Sequence, residues 1–277
     1  MNSSSTPNWL RWIGNTAVTL MVLIWLFPVY WIVATSLKQK EDIINPIPSF
    51  IFNPTLDNYR TIFGPTYTFA HIVLNSFIVA FFVTLLVIIL AIPAAYSLAR
   101  WQTKGSERIA NWILSLRMLP PVAVVIPYYV LASRLQLIDT YLVLILVHMA
   151  FGVPFAVWLM RGFFAEIPRE LDHAAMLDGY SYLAILRKII IPLATPSIAV
   201  TAIFTFIFSW NEFLLALLLT DTNAVTVPVQ ISKMILAYQV LWGELSAAGV
   251  IALLPLLFVV FALQRYIVRG LTLGAVK

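Results

Sequence analysis

The sequence predicts an all-α integral membrane protein with six membrane-spanning helices, and three observations carry that prediction. The 277 residues are 61% hydrophobic and 10% charged, where an average soluble domain is about 45–50% apolar and about 25% charged. Six stretches reach or approach the roughly 20 apolar residues that cross a ~30 Å hydrocarbon core at 1.5 Å per residue. Lysine and arginine are also shared unevenly between alternate loops. Cysteine is absent, which excludes a disulfide framework and any thiolate metal site.

The first span, Ile13 to Ala34, runs 22 residues. A signal-peptide core runs only about 7–15 and ends at a small-x-small cleavage site, which is not evident here, so a retained helix is expected. A loop rich in proline and asparagine follows over 36–70. The second span is Ile72 to Tyr96, the third Ile109 to Leu131, the fourth Tyr141 to Met160, the fifth Ser197 to Leu219 and the sixth Leu245 to Leu263. Pro93, Pro120, Pro121, Pro127, Pro154 and Pro255 lie in or beside them. Each removes a backbone donor that a neighbouring helix or water must compensate, whether as a kink used in motion or as a tolerated irregularity.

Placing the N-terminus in the cytoplasm puts Arg11, Arg100, Lys104, Arg108, Arg161, Arg169, Arg187, Lys188, Arg265, Arg269 and Lys277 inside. Only Lys38, Lys40, Arg60, Arg134 and Lys233 then lie outside, and Arg117 lies within a span. The positive-inside rule therefore favours a multi-pass protein with both termini in the cytoplasm. Trp9, Trp12, Trp101, Trp112 and Trp242 fall near span ends, where an indole keeps its N–H wet while burying its ring.

Between the fourth and fifth spans, residues 161–196 carry charges that do not belong in lipid. Pro168 suits a first helical turn, Glu170 and Asp172 complement the positive end of a helix dipole, and Gly179 marks a stop, so a short helix is expected over about 168–178. Ser181 can cap a second helix in which Tyr182, Ile185, Leu186 and Ile189 share an apolar face, closed by Pro192. Ala174 and Ala175 offer a small flat side to a partner. The alternative is an amphipathic loop resting on lipid headgroups.

Within that loop His173-Ala174-Ala175, Gly179 and Ile189-Ile190-Ile191-Pro192 reproduce the spacing of EAA, three residues, G, nine residues, I-x-L-P. This resembles the cytoplasmic signature of ABC importer permeases, with His173 where glutamate is usual and Ile191 where leucine is. Glu170 or Asp172 is then the nearest substitute for the missing docking carboxylate. "FPVYWIVATSLK" at 27–38, "NSFIVAFFVT" at 75–84, "AAYSLAR" at 94–100, "RMLPPVAVVIPYYVL" at 117–131, "SWNEFLLAL" at 209–217 and "GLTLGAVK" at 270–277 resemble the carbohydrate, maltose-like branch, specifically its shorter six-span subunit.

The resemblance implies the ABC type I importer permease fold: an N-terminal segment over 1–70, a permease core over 71–265 and a cytoplasmic tail over 266–277, of which Gly270 to Lys277 either reaches between ATPase domains or is a frayed, basic end. It implies coupling through Glu170, Asp172, His173, Ala174, Ala175, Asp178, Gly179, Ile189 and Pro192. It also implies pairing with a second, homologous permease, two ATPase subunits carrying ATP and Mg, and an external sugar-binding protein that the loops at 36–70 or 220–244 would meet. This chain itself would need no cofactor and bind no nucleic acid.

Motifs of independent chemistry are missing. None of the ten glycines precedes a lysine, so no phosphate-binding loop exists, and neither HExxH nor GxSxG occurs. A non-enzymatic transport subunit is expected. Trp210, Asn211 and Glu212 sit within the fifth span, where a charge costs roughly 2.5–3.5 kcal/mol. They either line a sugar path or bond to a neighbouring helix. Arg117 reads as a residue that snorkels to the inner interface, His148 as a packing histidine, and Asn75, Ser76 and Thr84 as helix-to-helix glue. Two rivals predict other outcomes: an ion-gradient-driven carrier with Glu212 as its coupling carboxylate, or an anchor subunit that moves no solute.

Overall fold

The computed structural model describes residues 8–101, 104–235 and 240–273. The tail residues 274–277, Lys277 among them, lie outside these, as do the side chains of Trp9, Lys104, Arg265 and Arg269. In chain order the helices are α1 (Asn8–Ser36), α2 (Lys40–Ile44), α3 (Asp57–Phe63), α4 (Phe69–Arg100), α5 (Lys104–Leu116), α6 (Pro121–Arg134) and α7 (Tyr141–Glu166). Then follow α8 (Glu170–Leu177), α9 (Tyr182–Ile185), a π-helical turn (Leu186–Ile190), α10 (Ile191–Leu193), α11 (Thr195–Trp210), α12 (Leu214–Leu219), α13 (Val227–Lys233) and α14 (Trp242–Leu273).

Four of these are long and apolar enough to cross a membrane: Arg11–Ser36, Phe69–Arg100, Tyr141–Glu166 and Trp242–Gln264. Two bent pairs qualify only jointly, Gly105–Leu116 with Pro121–Arg134 at 85° and Tyr182–Leu193 with Thr195–Trp210 at 79°. The third stretch of the sequence is therefore broken rather than straight. Its break falls at Pro120-Pro121: Pro120 is extended at ψ 129°, and a residue preceding proline is sterically barred from the helical region. Pro121 restarts the chain as the first residue of α6.

The fifth stretch is interrupted too, at Asn211–Phe213. Glu212 is the cause at atomic scale, since its carboxylate accepts from the N–H groups of Leu215 (2.8 Å) and Ala216 (3.0 Å). A side chain that satisfies those donors starts a new helix in place of continuing the old one.

The chain divides into two compact units, Met1–Phe69 with Lys233–Leu253, and Ala70–Ser232 with Leu254–Lys277. In the second unit Val79, Val83, Val87, Ala91, Ala95 and Ala99 repeat every fourth residue along α4 and are all buried. This narrow stripe of small side chains lets α7 approach, and a Cβ added at Gly152 would stand 3.0 Å from Val87. Val143, Leu144, Met160 and Phe164 complete the core. In the first unit α1 leaves Ile24 and Trp25 more than two-thirds exposed, an apolar face that suits hydrocarbon and not water.

Two polar clamps hold the loop after α12 in the second unit. The Asn75 amide donates to the carbonyls of Asn223 and Val225 and accepts from the Tyr141 hydroxyl, while Ser76 Oγ accepts from Val227 N–H. Asp139, at φ 60°, turns its carboxylate to the backbone N–H groups of Asp221, Thr222, Asn223 and Ala224 at 2.8–3.1 Å. Partial burial by itself would raise its pKa, but those four donors outweigh it and hold the carboxyl well below the usual carboxylate range.

Candidate functional site

The 170–192 segment folds as two short helices about a turn. α8 ends in a Schellman arrangement, with Gly179 N–H donating to Met176 O and Tyr180 N–H to Ala175 O, both at 3.0 Å. Gly179 takes φ +82°, a conformation costly to any residue with a Cβ. Ser181 then accepts from Ala184 N–H and opens α9.

Beyond it the apolar face differs from the expected one. Ile185, Leu186 and Ile190 are buried, while Tyr182 is exposed and Ile189 only half-buried. The π-turn explains the shift, because i→i+5 bonding puts Ile185 and Ile190 on one face where a 3.6-residue period selects Ile189. Pro168, expected in the first turn, lies ahead of α8 in the link from α7.

α8 is fastened to the ends of α4 and α7 by a buried cluster. Arg100 Nε lies 2.6 Å from Asp172 Oδ2, both side chains less than a tenth exposed. Tyr96 donates its hydroxyl to Asp172 Oδ1 at 2.9 Å, and Arg100 Nη1 donates to the carbonyls of Phe164 and Ile167 that end α7. Arg169 donates to Ala99 O, and the rings of Trp101 and Tyr182 meet at 5.1 Å.

Two of the residues expected on a docking face are thereby corrected to interior positions. Asp172 is committed to Arg100 and Tyr96, and Ala175 is buried, because they fall on the side of α8 that meets α4. Glu170, His173, Ala174, Leu177, Asp178 and Gly179 are exposed on the other side, and Pro192 is exposed after the π-turn.

A second site, within the second unit, is a cavity of about 250 Å³ bordered by Arg117, His148, Thr205, Phe208, Ser209 and Glu212 among others. Glu212 borders this largely apolar cavity and also faces His148 of α7, so it meets the geometry of both alternatives the sequence left open. Neither Trp210 nor Asn211 borders it: Trp210 is buried and stacks on Phe206 with ring centres 5.8 Å apart, and the exposed Asn211 donates its amide to Ile207 O. The break accounts for this, since α11 ends at Trp210 and the chain turns through Asn211–Phe213 before α12 begins.

Two residues that the sequence did not mark as a site border the cavity beside Glu212. His148 Nδ1 is 2.9 Å from Ser209 Oγ and its Nε2 is 3.3 Å from Glu212 Oε2. The Arg117 guanidinium lies 4.2 Å from the centre of Phe155 and 4.9 Å from that of Phe208, held by their π faces. The one available signal was that each is a polar residue inside an apolar stretch.

A cation, a carboxylate, an imidazole and hydroxyls among apolar walls can hydrogen-bond a hydroxylated solute while excluding lipid. Ser209, His148 and Glu212 follow the order of a hydrolase relay, yet Ser209 lies inside α11, where backbone N–H groups are engaged in the helix and cannot serve as oxyanion donors.

Residues 87–273 match the family described as binding-protein-dependent transport system inner membrane component. The chain is 39% identical over 276 residues to the probable ABC transporter permease protein y4oR of Sinorhizobium fredii, covering 100% of this chain and 98% of that one. It is 36% identical to the trehalose/maltose transport system permease protein MalG of Thermococcus litoralis, covering 93% and 94%. A chain of the crystal structure of a bacterial ABC transporter involved in alginate import superposes with a TM-score of 0.77 at 21% identity, over 96% of this chain and 100% of that one. None of these supports an ion-gradient-driven carrier or a non-transporting anchor. The α-helical architecture and the broken spans accord with a multi-pass membrane protein, and the chain belongs to the binding-protein-dependent transport system inner membrane component family, the non-enzymatic permease subunits of ABC importers.

Proposed function

We propose that this permease carries a sugar, or a related polyol or glycoside, across the cytoplasmic membrane by alternating access, driven by ATP and Mg on a separate ATPase. It pairs with a second, homologous permease and receives solute from an external binding protein. Both termini lie in the cytoplasm, on the side of the 170–192 turn. The sugar class is supported by the MalG relative, a trehalose/maltose transport system permease protein, and by the hydrogen-bonding groups of the Arg117–Glu212 cavity.

The single observation that carries the mechanism is the exposed side of α8 set on a buried Arg100–Asp172 brace. A partner that grips Glu170, His173, Ala174, Asp178 and Gly179 moves α4 and α7 with it, because the brace ties α8 to both. Nucleotide binding must supply different contacts in the two states, since equal contacts shift no equilibrium.

The test is ATPase activity of the co-purified permease pair, ATPases and binding protein over a panel of sugars. Stimulation by at least one sugar is expected, together with its loss in Gly179→Asp although that variant inserts and folds. Stimulation that survives Gly179→Asp would overturn the docking role, and a complex stimulated by no sugar or polyol would overturn the substrate class.

A further inference from the structure

The first unit contains a cavity of its own, larger than the one in the second unit. It measures about 400 Å³ and is bordered by Trp31, Lys38, Asp42, Asn45, Trp242 and Ser246, among others. That volume is within the ~300–1,000 Å³ of small-molecule sites. Its most telling feature is Lys38. This side chain is only 3% exposed, and among the described residues its ammonium has no hydrogen-bond acceptor or carboxylate. It has only ring faces, Trp31 at 4.3 Å and Phe52 at 5.2 Å from their centres. The side chain as a whole is buried while its ammonium borders the cavity, so its three N–H donors are turned to that space and not to a protein oxygen, where a lysine on a span end would ordinarily snorkel outward.

The position is also built firmly. The Asn58 amide donates to the carbonyls of Ser36 and Lys38, Thr55 N–H donates to Leu37 O at 2.8 Å, and Ser36 Oγ is 2.8 Å from the Tyr59 hydroxyl. Gly243 lies so near Asn58 that an added Cβ would overlap its amide. The first turn of α14, with Trp242 and Ser246 one turn apart, is thus held against the segment that carries Lys38. Asp42 and Asn45 border the same space from α2 and its C-cap.

We infer that this cavity is a saccharide subsite separate from the one in the second unit. Indole rings of Trp31 and Trp242 suit the C–H faces of a pyranose, the planar ends of Asp42 and Asn45 suit vicinal hydroxyls, and Lys38 gains hydroxyl oxygens as acceptors. One cation and one carboxylate balance within the cavity, so the ligand chemistry is neutral and hydroxylated, not anionic. The inference rests on the proposal that the permease handles sugars.

The test is saturation-transfer difference NMR on the full chain in lipid nanodiscs, with maltose and trehalose as the probes, beside uptake by the complete transporter. Pyranose C–H signals are expected from the wild type, and about tenfold weaker apparent affinity is expected in both Lys38→Met and Asp42→Asn. Lys38→Met keeps the aliphatic stem, and Asp42→Asn is isosteric at a half-exposed position, so one of the two reports even if the other fails to fold. Signals unchanged in a folded variant would overturn the subsite. So would the absence of signal from a sugar that the complete transporter imports, and that result leaves the sugar reading standing. If no sugar is either bound or imported, the sugar reading itself fails and the subsite with it.

Discussion

Two carboxylates two residues apart, Glu170 and Asp172, have opposite fates. Asp172 is spent on Arg100 and Tyr96 in the interior, and Glu170 stands in solvent. Removing one partner of a buried pair leaves an uncompensated charge at about 3–5 kcal/mol, whereas an exposed substitution changes stability by about 0.5 kcal/mol or less. Asp172→Asn is therefore expected to lower the thermal midpoint and sugar-stimulated ATPase together. Glu170→Ala is expected to leave the midpoint in place and reduce the stimulation alone, which a melting curve and an ATPase assay on the same preparation would separate. Full coupling in Glu170→Ala, with loss of coupling in His173→Ala, would show that the docking contact lies at the histidine.

Among the elements, the loop after α12 illustrates how a short irregular segment is held without secondary structure. Its N–H groups converge on Asp139, which must be ionised to accept them all. Because the folded-state pKa lies below the ordinary carboxylate value, the clamp's stabilisation is fully present above about pH 4 and is lost as pH falls through the depressed value. Asp139→Ala is expected to melt earlier than wild type by a constant interval between pH 5 and pH 8, as plain working limits. That interval should shrink as the medium is acidified below the ordinary carboxylate range. A gap that instead widened with acid would contradict the direction of the shift. The π-turn after α9 makes a related point about elements: one additional residue in a turn moved the buried position from Ile189 to Ile190, which no 3.6-residue count could anticipate.

For the whole molecule, the face of the membrane that each loop occupies is directly measurable, because a chain without cysteine accepts single cysteines as reporters. Leu177→Cys, on the exposed tip of α8, is expected to react with a membrane-impermeant maleimide only from the cytoplasmic side. Asn223→Cys, in the loop on Asp139, is expected to react only from outside. The reverse pattern would invert the proposed topology, and with it the place of the ATPases.

Composition and span length determined by themselves that this chain is helical and membrane-embedded, because hydrocarbon forces every backbone polar group to be satisfied within a segment. Spacing alone located the 170–192 turn, since Gly179 and Ser181 act on their immediate neighbours. What only the tertiary structure decided is the partnership of distant polar groups: Arg100 with Asp172, His148 with Glu212, and Lys38 with the rings of Trp31 and Phe52. Those pairings depend on which helix faces which, and a pattern of nearly uniform apolar residues cannot encode that, because lipid and protein neighbours reward the same side chains.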